Sequence, residues 1–150
     1  MSDPVSFERS HDIHIQAPPR AVFDYVSNPR SWPEWIASSH EIDSPDRPLQ
    51  RGETFHERWM TREMVTLDWI VVECDAPHTW VARTATTFTG PIVVRYTCVA
   101  EDGGTRYTRT VTNPARPKAV TPPMLERIDA EAATALSNIK ANVERRVGEA

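Results

Sequence analysis

The stretch PPMLERIDAEAATALSNIKANVERRV, residues 122–147, decides how this chain is read. Its apolar residues Leu125, Ile128, Ala132, Leu136, Ile139, Val143 and Val147 recur at steps of three and four. Such steps draw one continuous apolar stripe along a helix. At 1.5 Å per residue the helix runs about 39 Å. A compact domain of this length has a radius of gyration of roughly 15 Å. The helix therefore spans the molecule, and its stripe needs an equally long partner. Thr121 suits the N-cap, Pro122 the first helical position and Gly148 the position just past the end.

Almost everything before this helix reads as strand. Ser6 to Gln16 alternates, with Ile13 and Ile15 on one face and His14 and Gln16 on the other. Ala17-Pro18-Pro19 ends that strand and opens a short helix from Arg20 to Ser27, with Val22, Phe23 and Val26 inward. Asn28-Pro29 closes it. Ser31 to Ile36 is expected as a second short helix, its Trp32 and Trp35 sharing a face and bracing it against the sheet. Strands are then expected over Ser38 to Asp43, Glu53 to Met60, Glu63 to Cys74, Thr79 to Phe88, Ile92 to Ala100 and Thr105 to Thr112. Turn chemistry separates them, Gly90-Pro91 as a break and Glu101-Asp102-Gly103-Gly104 as the clearest hairpin. Asn113 to Pro117 reads as a stiff link to the long helix. Consecutive strands with short turns imply an antiparallel meander with one face to cover. The expectation is one α+β domain over residues 1–150, a bent sheet of about seven strands around the long helix, with two short helices after strand 1.

Bulk composition narrows the function classes. The chain has 150 residues, 39% of them hydrophobic and 25% charged, as in an ordinary soluble domain. A net charge of -4 argues against nucleic acid as the main partner. No apolar run approaches the roughly 20 residues of a membrane span, so no membrane insertion is expected. Met1-Ser2-Asp3-Pro4 lacks a basic region followed by an apolar stretch, which predicts a cytoplasmic protein without a signal peptide. Cys74 and Cys98 are expected as reduced thiols, ~9.6 Å apart if one strand separates theirs, too far for a disulfide. His11 and His14 point to opposite faces of their strand, and His40, His56 and His78 lack partners at zinc spacing, so no metal is predicted. No nucleophile elbow, phosphate loop or dinucleotide fingerprint is present, and no cofactor is predicted.

Ile13 to Val26 (IHIQAPPRAVFDYV), followed by Asn28-Pro29 and Trp32-Pro33-Glu34-Trp35, resembles the opening of the START-like (SRPBCC) superfamily. Gly52-Glu53-Thr54-Phe55 resembles its strand-opening glycine motif, and Gly103-Gly104-Thr105-Arg106 the hairpin before its last strand. The long C-terminal helix fits as well. The resemblance covers nearly the whole chain. It implies the helix-grip fold of Bet v 1 type. Members of the group bind lipids, sterols, polyketides or hormones, act as cyclases or dehydratases, or serve as partner proteins, and fold does not select among these.

Strand parity then sorts the concave face from the convex one. The inward sets are Thr105, Tyr107, Arg109 and Val111; Ile92, Val94, Tyr96 and Cys98; Trp80, Ala82, Thr84, Thr86 and Phe88; Leu67, Trp69 and Val71; and Phe55, Glu57 and Trp59. On the helix, Met124, Ile128, Ala132 and Ala135 complete the expected cavity wall. Trp59, Trp69, Trp80, Tyr96 and Tyr107 suit either a pocket for flat apolar ligands or a solid core. Glu57 and Arg109 are inward charges, and each needs a partner or water. One or both lie at the cavity mouth, or they form an internal ion pair, or they serve a ligand, Arg109 holding a carboxylate, phenolate or carbonyl and Glu57 accepting a proton.

Three functions follow. The first is non-covalent binding or transport of a small hydrophobic, lipid- or polyketide-like ligand, by a monomer or homodimer. The second is an aromatic polyketide cyclase or dehydratase using Glu57 and Arg109, with no residue assigned as catalytic from sequence. The third is a partner-binding module using the polar convex face, which carries Arg83, Arg95 and Arg106.

Overall fold

The computed structural model describes residues 3–37, 39–60 and 64–149. Chain order is β1 (Val5–Ile15), α1 (Pro19–Val26), a 3-10 helix (Pro29–Glu34), β2 (Ser39–Asp43), β3 (Thr54–Met60), β4 (Met64–Asp75), β5 (Thr79–Thr86), β6 (Gly90–Glu101), β7 (Gly104–Arg116) and α2 (Pro122–Glu149). The strands form one curved antiparallel sheet in the order β1-β7-β6-β5-β4-β3-β2. Strands β2 to β7 are a meander, and β1 closes the far edge by pairing with β7. The two short helices carry the chain from one edge of the sheet to the other. Ser38 and Glu63, the expected first residues of β2 and β4, lie outside the described residues.

Local chemistry accounts for the element ends. Pro19 opens α1 with the preset φ of a first helical turn, and Val22, Phe23, Tyr25 and Val26 form its buried face. The Asn28 side chain caps the 3-10 helix by accepting the Arg30 N–H at 3.1 Å. Asp102 and Gly103 both have positive φ, at 47° and 76°, so the β6–β7 loop is a two-residue turn of the kind that matches strand twist. Thr121 caps α2 through its hydroxyl, 3.4 Å from the Met124 nitrogen.

Several expectations need correction. Gly90-Pro91 does not break the sheet: both residues belong to β6, opposite Thr86 and Ala85. Gly90 is required because its φ is 72° and a Cβ there would lie 2.5 Å from the Ala115 carbonyl oxygen. The expected link from Asn113 continues as strand through Arg116, with Asn113 opposite Phe7 and Arg116 opposite Val5 across a register shift. A bulge absorbs Pro114, which edge pairing tolerates. Phe88 lies beyond β5 and is 43% exposed rather than inward. Gly148 sits inside the last turn of α2, not past it.

The concave face divides into two regions. Under the middle strands Trp32 is the hub of an aromatic cluster. Its ring meets Phe55 at 5.2 Å and Trp69 at 5.3 Å, edge-on in both cases. Phe55 stacks on Trp69 at 5.9 Å, and Trp80 on Tyr96 at 5.3 Å. Such pairs add to simple area burial. The other region lies below α2, which packs closest to β1. Burial along α2 begins at Ala132 and continues through Ala135, Leu136, Ile139 and Val143. Leu125 and Ile128 are half-buried, and Val147 is 37% exposed. Cys74 and Cys98 are free thiols on β4 and β6, with β5 between them. Among the described residues no helix is long and apolar enough to cross a membrane.

Candidate functional site

Between the sheet and the middle of α2 lies a cavity of about 790 Å³. That volume falls within the range of small-molecule sites. Its floor comes from β3, β4, β6 and β7, one side from β1, one from residues 32–37, and its roof from α2. Because side chains alternate along strands, each strand contributes every second residue to it. Glu57 and Trp59 enter from β3, Leu67 and Trp69 from β4, Ile92, Val94 and Tyr96 from β6, and Arg109 and Val111 from β7.

Of the residues expected in the cavity, Glu57, Trp59, Trp69, Tyr96, Arg109, Ile128, Ala132 and Ala135 line it. Phe55, Trp80, Tyr107 and Met124 do not. Phe55 and Trp80 are used up in packing around Trp32. Trp80 also donates its indole N–H to the Leu49 carbonyl at 2.9 Å. Tyr107 is fully buried, its ring 5.9 Å from that of Tyr96. Met124 is half-buried in the first turn of α2, before burial begins. Trp32 and Trp35, expected as braces, are buried and also form part of the wall.

The charged side chains of Glu57 and Arg109 enter this cavity from the sheet. Glu57 is buried and accepts the Trp69 indole N–H at 3.1 Å. Burial raises its pKa above the ordinary value, opposed in part by the Ser39 hydroxyl, the Trp69 N–H and the Arg109 charge. Among the described residues Glu57 and Arg109 form no direct ion pair. The Arg109 guanidinium instead lies over the Trp35 ring, 5.8 Å from its centroid. Four buried polar atoms lack a hydrogen-bond partner among the described residues: Arg109 Nε, Tyr96 Oη, Tyr107 Oη and Ser39 Oγ. Tyr96 and Arg109 face each other across the β6–β7 ladder. Burial pushes the Tyr96 phenol well above its ordinary pKa, so its proton stays on the oxygen.

The rim is ionic. Arg9 reaches Asp129 of α2 with two hydrogen bonds, at 3.0 and 2.8 Å, and His11 Nε2 lies 2.7 Å from the same carboxylate. The hydrogen bonds from Arg9 and His11 hold the Asp129 carboxyl well below the usual carboxylate range. A second tie joins the 3-10 helix to the far end of α2. Tyr25 donates to Glu34 at 3.0 Å and accepts from Asn142 at 2.9 Å, while Arg146 reaches Glu34 at 2.8 Å. Burial pushes the Tyr25 phenol up to about 12. Arg9 and His11 share the inward parity of Ile13 and Ile15, a signal that reaches them when the alternation is followed back along β1. Ser39 carries no such signal, because β2 is too short to show a period.

A family profile described as polyketide cyclase / dehydrase and lipid transport matches residues 5–144. No curated protein matches the sequence. Among solved structures, the Zhui aromatase/cyclase from Streptomyces sp. R1128 is similar with a TM-score of 0.75 at 15% identity, over 95% of this chain and 96% of that one. Ara h 8.0201 is similar with a TM-score of 0.69 at 12% identity, over 93% and 98%. The di-domain ARO/CYC StfQ from the steffimycin biosynthetic pathway gives a TM-score of 0.75 at 15% identity, over 96% of this chain and 53% of that one. This chain thus spans about half the length of the di-domain protein. At these identities the likeness establishes the helix-grip fold of Bet v 1 type.

Proposed function

Since the chain belongs to the polyketide cyclase / dehydrase and lipid transport family, we propose that it binds a small hydrophobic molecule reversibly in the cavity under α2. One observation carries this reading: a cavity of about 790 Å³ walled mainly by Trp32, Trp35, Trp59, Trp69, Ile92 and Val94. Aromatic and aliphatic walls of this kind favour a flat apolar guest, and the polar side chains among them orient it. The free thiols of Cys74 and Cys98 support a cytoplasmic setting for this binding. Native mass spectrometry of the purified protein, with solvent extraction of what it carries, tests the proposal. A bound small molecule, or saturable quenching of the cavity tryptophans by flat aromatic compounds, is the expected result. Absence of both sinks it.

A second reading is a cyclase or dehydratase acting on an aromatic polyketide-like substrate. It is favoured by Glu57 and Arg109 lining one cavity. A carboxylate beside a ketide takes the α-proton, while the guanidinium stabilises the enolate oxygen until its carbon attacks a second carbonyl. Release of water then completes the aromatic ring. Glu57→Gln and Arg109→Ala each abolish turnover of a poly-β-ketone while keeping a cooperative thermal transition, if this reading holds. Unchanged product formation by either variant eliminates it.

A further inference from the structure

We propose that the cavity selects an aromatic monoanion, whose oxygen is taken by Arg109 Nε and the Tyr96 hydroxyl while its ring lies among the tryptophans. This rests on the reading of the cavity as a ligand site and adds the chemical class of the ligand.

The first support is the pair of unmet donors. Buried polar groups in folded proteins are nearly always paired, because leaving one unmet forfeits its hydration with nothing in return. Arg109 Nε and Tyr96 Oη are both buried without a partner among the described residues, and both residues line the cavity. They belong to Cα partners on adjacent strands, so the two donors sit on neighbouring parts of one wall. A guanidinium N–H has no acceptor capacity, and the Tyr96 proton is held tightly, so the complement is an oxygen acceptor. Charge-assisted bonds to such donors are about twice as strong as neutral ones.

The second support is the charge balance of the wall. Arg9 and His11 are engaged by Asp129, and Glu34 is engaged by Arg146. Arg116 meets neutral acceptors, Asn113 Oδ1 and the Lys118 carbonyl. Glu57 is buried and accepts the Trp69 indole N–H without pairing with Arg109, and Glu131 is on an exposed part of α2. Arg109 is the central cation, with the face of Trp35 as its neighbour. An anion there completes the site, whereas a neutral ligand leaves the guanidinium matched to a ring face.

The test compares 2-naphthoate with its neutral isostere 2-naphthamide by isothermal titration on the full chain at pH 7.5. Wild type is expected to bind the anion about tenfold or more tighter than the amide. Arg109→Met is expected to bring the two affinities together while naphthamide binding persists. Tyr96→Phe, which removes a hydroxyl lying beside the Arg109 guanidinium, is expected to reduce the preference in part and serves if Arg109→Met does not fold. Equal affinities in wild type, or a preference that survives Arg109→Met, overturn the anion proposal and leave the hydrophobic site standing. Failure of both compounds to bind at millimolar concentration overturns the site and the anion proposal together.

Discussion

Trp69 of β4 donates its indole N–H to the carboxylate of Glu57 on β3, at 3.1 Å inside the cavity. Burial dominates the Glu57 carboxyl, raising its pKa above 4.5, while the Ser39 hydroxyl, this N–H and the Arg109 charge oppose the rise. A carboxyl with a raised folded-state pKa binds more protons folded than unfolded through the interval between the two values. Stability from this group is therefore present at and below 4.5 and falls as pH rises through the folded value. Glu57→Gln keeps an acceptor for Trp69 and removes the titration. The difference in melting temperature, variant minus wild type, should grow as pH rises above 4.5 and level once pH exceeds the raised folded-state value. A flat or falling difference would mean that Arg109 already stabilises the charged form fully.

Asp129 ties the first half of α2 to β1 through Arg9 and His11. Full burial on α2 starts only at Ala132, and Leu125 and Ile128 before it are half-buried, so these contacts add to thin packing in holding the preceding turns near the cavity rim. The Asp129 carboxyl is held well below its ordinary value of 3.8, which keeps it charged in mild acid. Its stabilising contribution is present above that value and is lost as pH falls through the lower folded-state one. Asp129→Asn removes the charge and weakens both contacts. Amide hydrogen exchange should speed up in residues 124–131 and stay unchanged around Ile139. Ligand association and release should both accelerate. Equal exchange in variant and wild type would show that packing alone seats this part of the helix.

Much of this site is legible in sequence, and for a physical reason. A strand of period two commits every second residue once one face is known, so Glu57, Trp69, Tyr96 and Arg109 fall inward together. The long helix declares itself by its stripe. Parity does not tell a cavity wall from a core, because Phe55 and Trp69 share a face and differ only in what covers them. Trp32 packs edge-on against both rings and arrives from the 3-10 helix, a segment with no periodic signal, while Trp69 alone of the two also reaches the cavity. The register of β1 against β7 is equally hidden, so the meeting of Arg9, His11 and Asp129 across 120 residues is visible only in three dimensions. Gly90-Pro91 and Pro114 look like breaks because proline and glycine usually are. They stay in strands where pairing is interrupted or close to an edge.

Trp80 offers a test of the aromatic cluster itself. Its ring is fully buried, and its N–H satisfies the Leu49 carbonyl at 2.9 Å. Trp80→Phe keeps most of the stacking on Tyr96 and deletes the donor. Stranding a buried carbonyl costs about 1–3 kcal/mol, with a further loss from the missing ring atoms. Urea unfolding should show a lower midpoint with an unchanged slope, the product of shift and slope giving a loss of that size. A loss below about 0.5 kcal/mol would mean that water reaches the Leu49 carbonyl, since exposed changes are of that size.

Ala135 is the position where fold and binding separate. It is buried, on α2, and directly on the cavity wall. An indole placed there has the cavity to occupy, so Ala135→Trp costs the helix only the propensity difference, about 0.5 kcal/mol. The added ring takes space that a ligand needs, between the helix and the tryptophans of β3 and β4. The variant should melt within a few degrees of wild type and lose affinity for flat aromatic ligands by at least about tenfold, or 1.4 kcal/mol. Circular dichroism melting and isothermal titration on the same preparation read both quantities. Full affinity in a folded variant would place the ligand away from the middle of α2, against the strands alone.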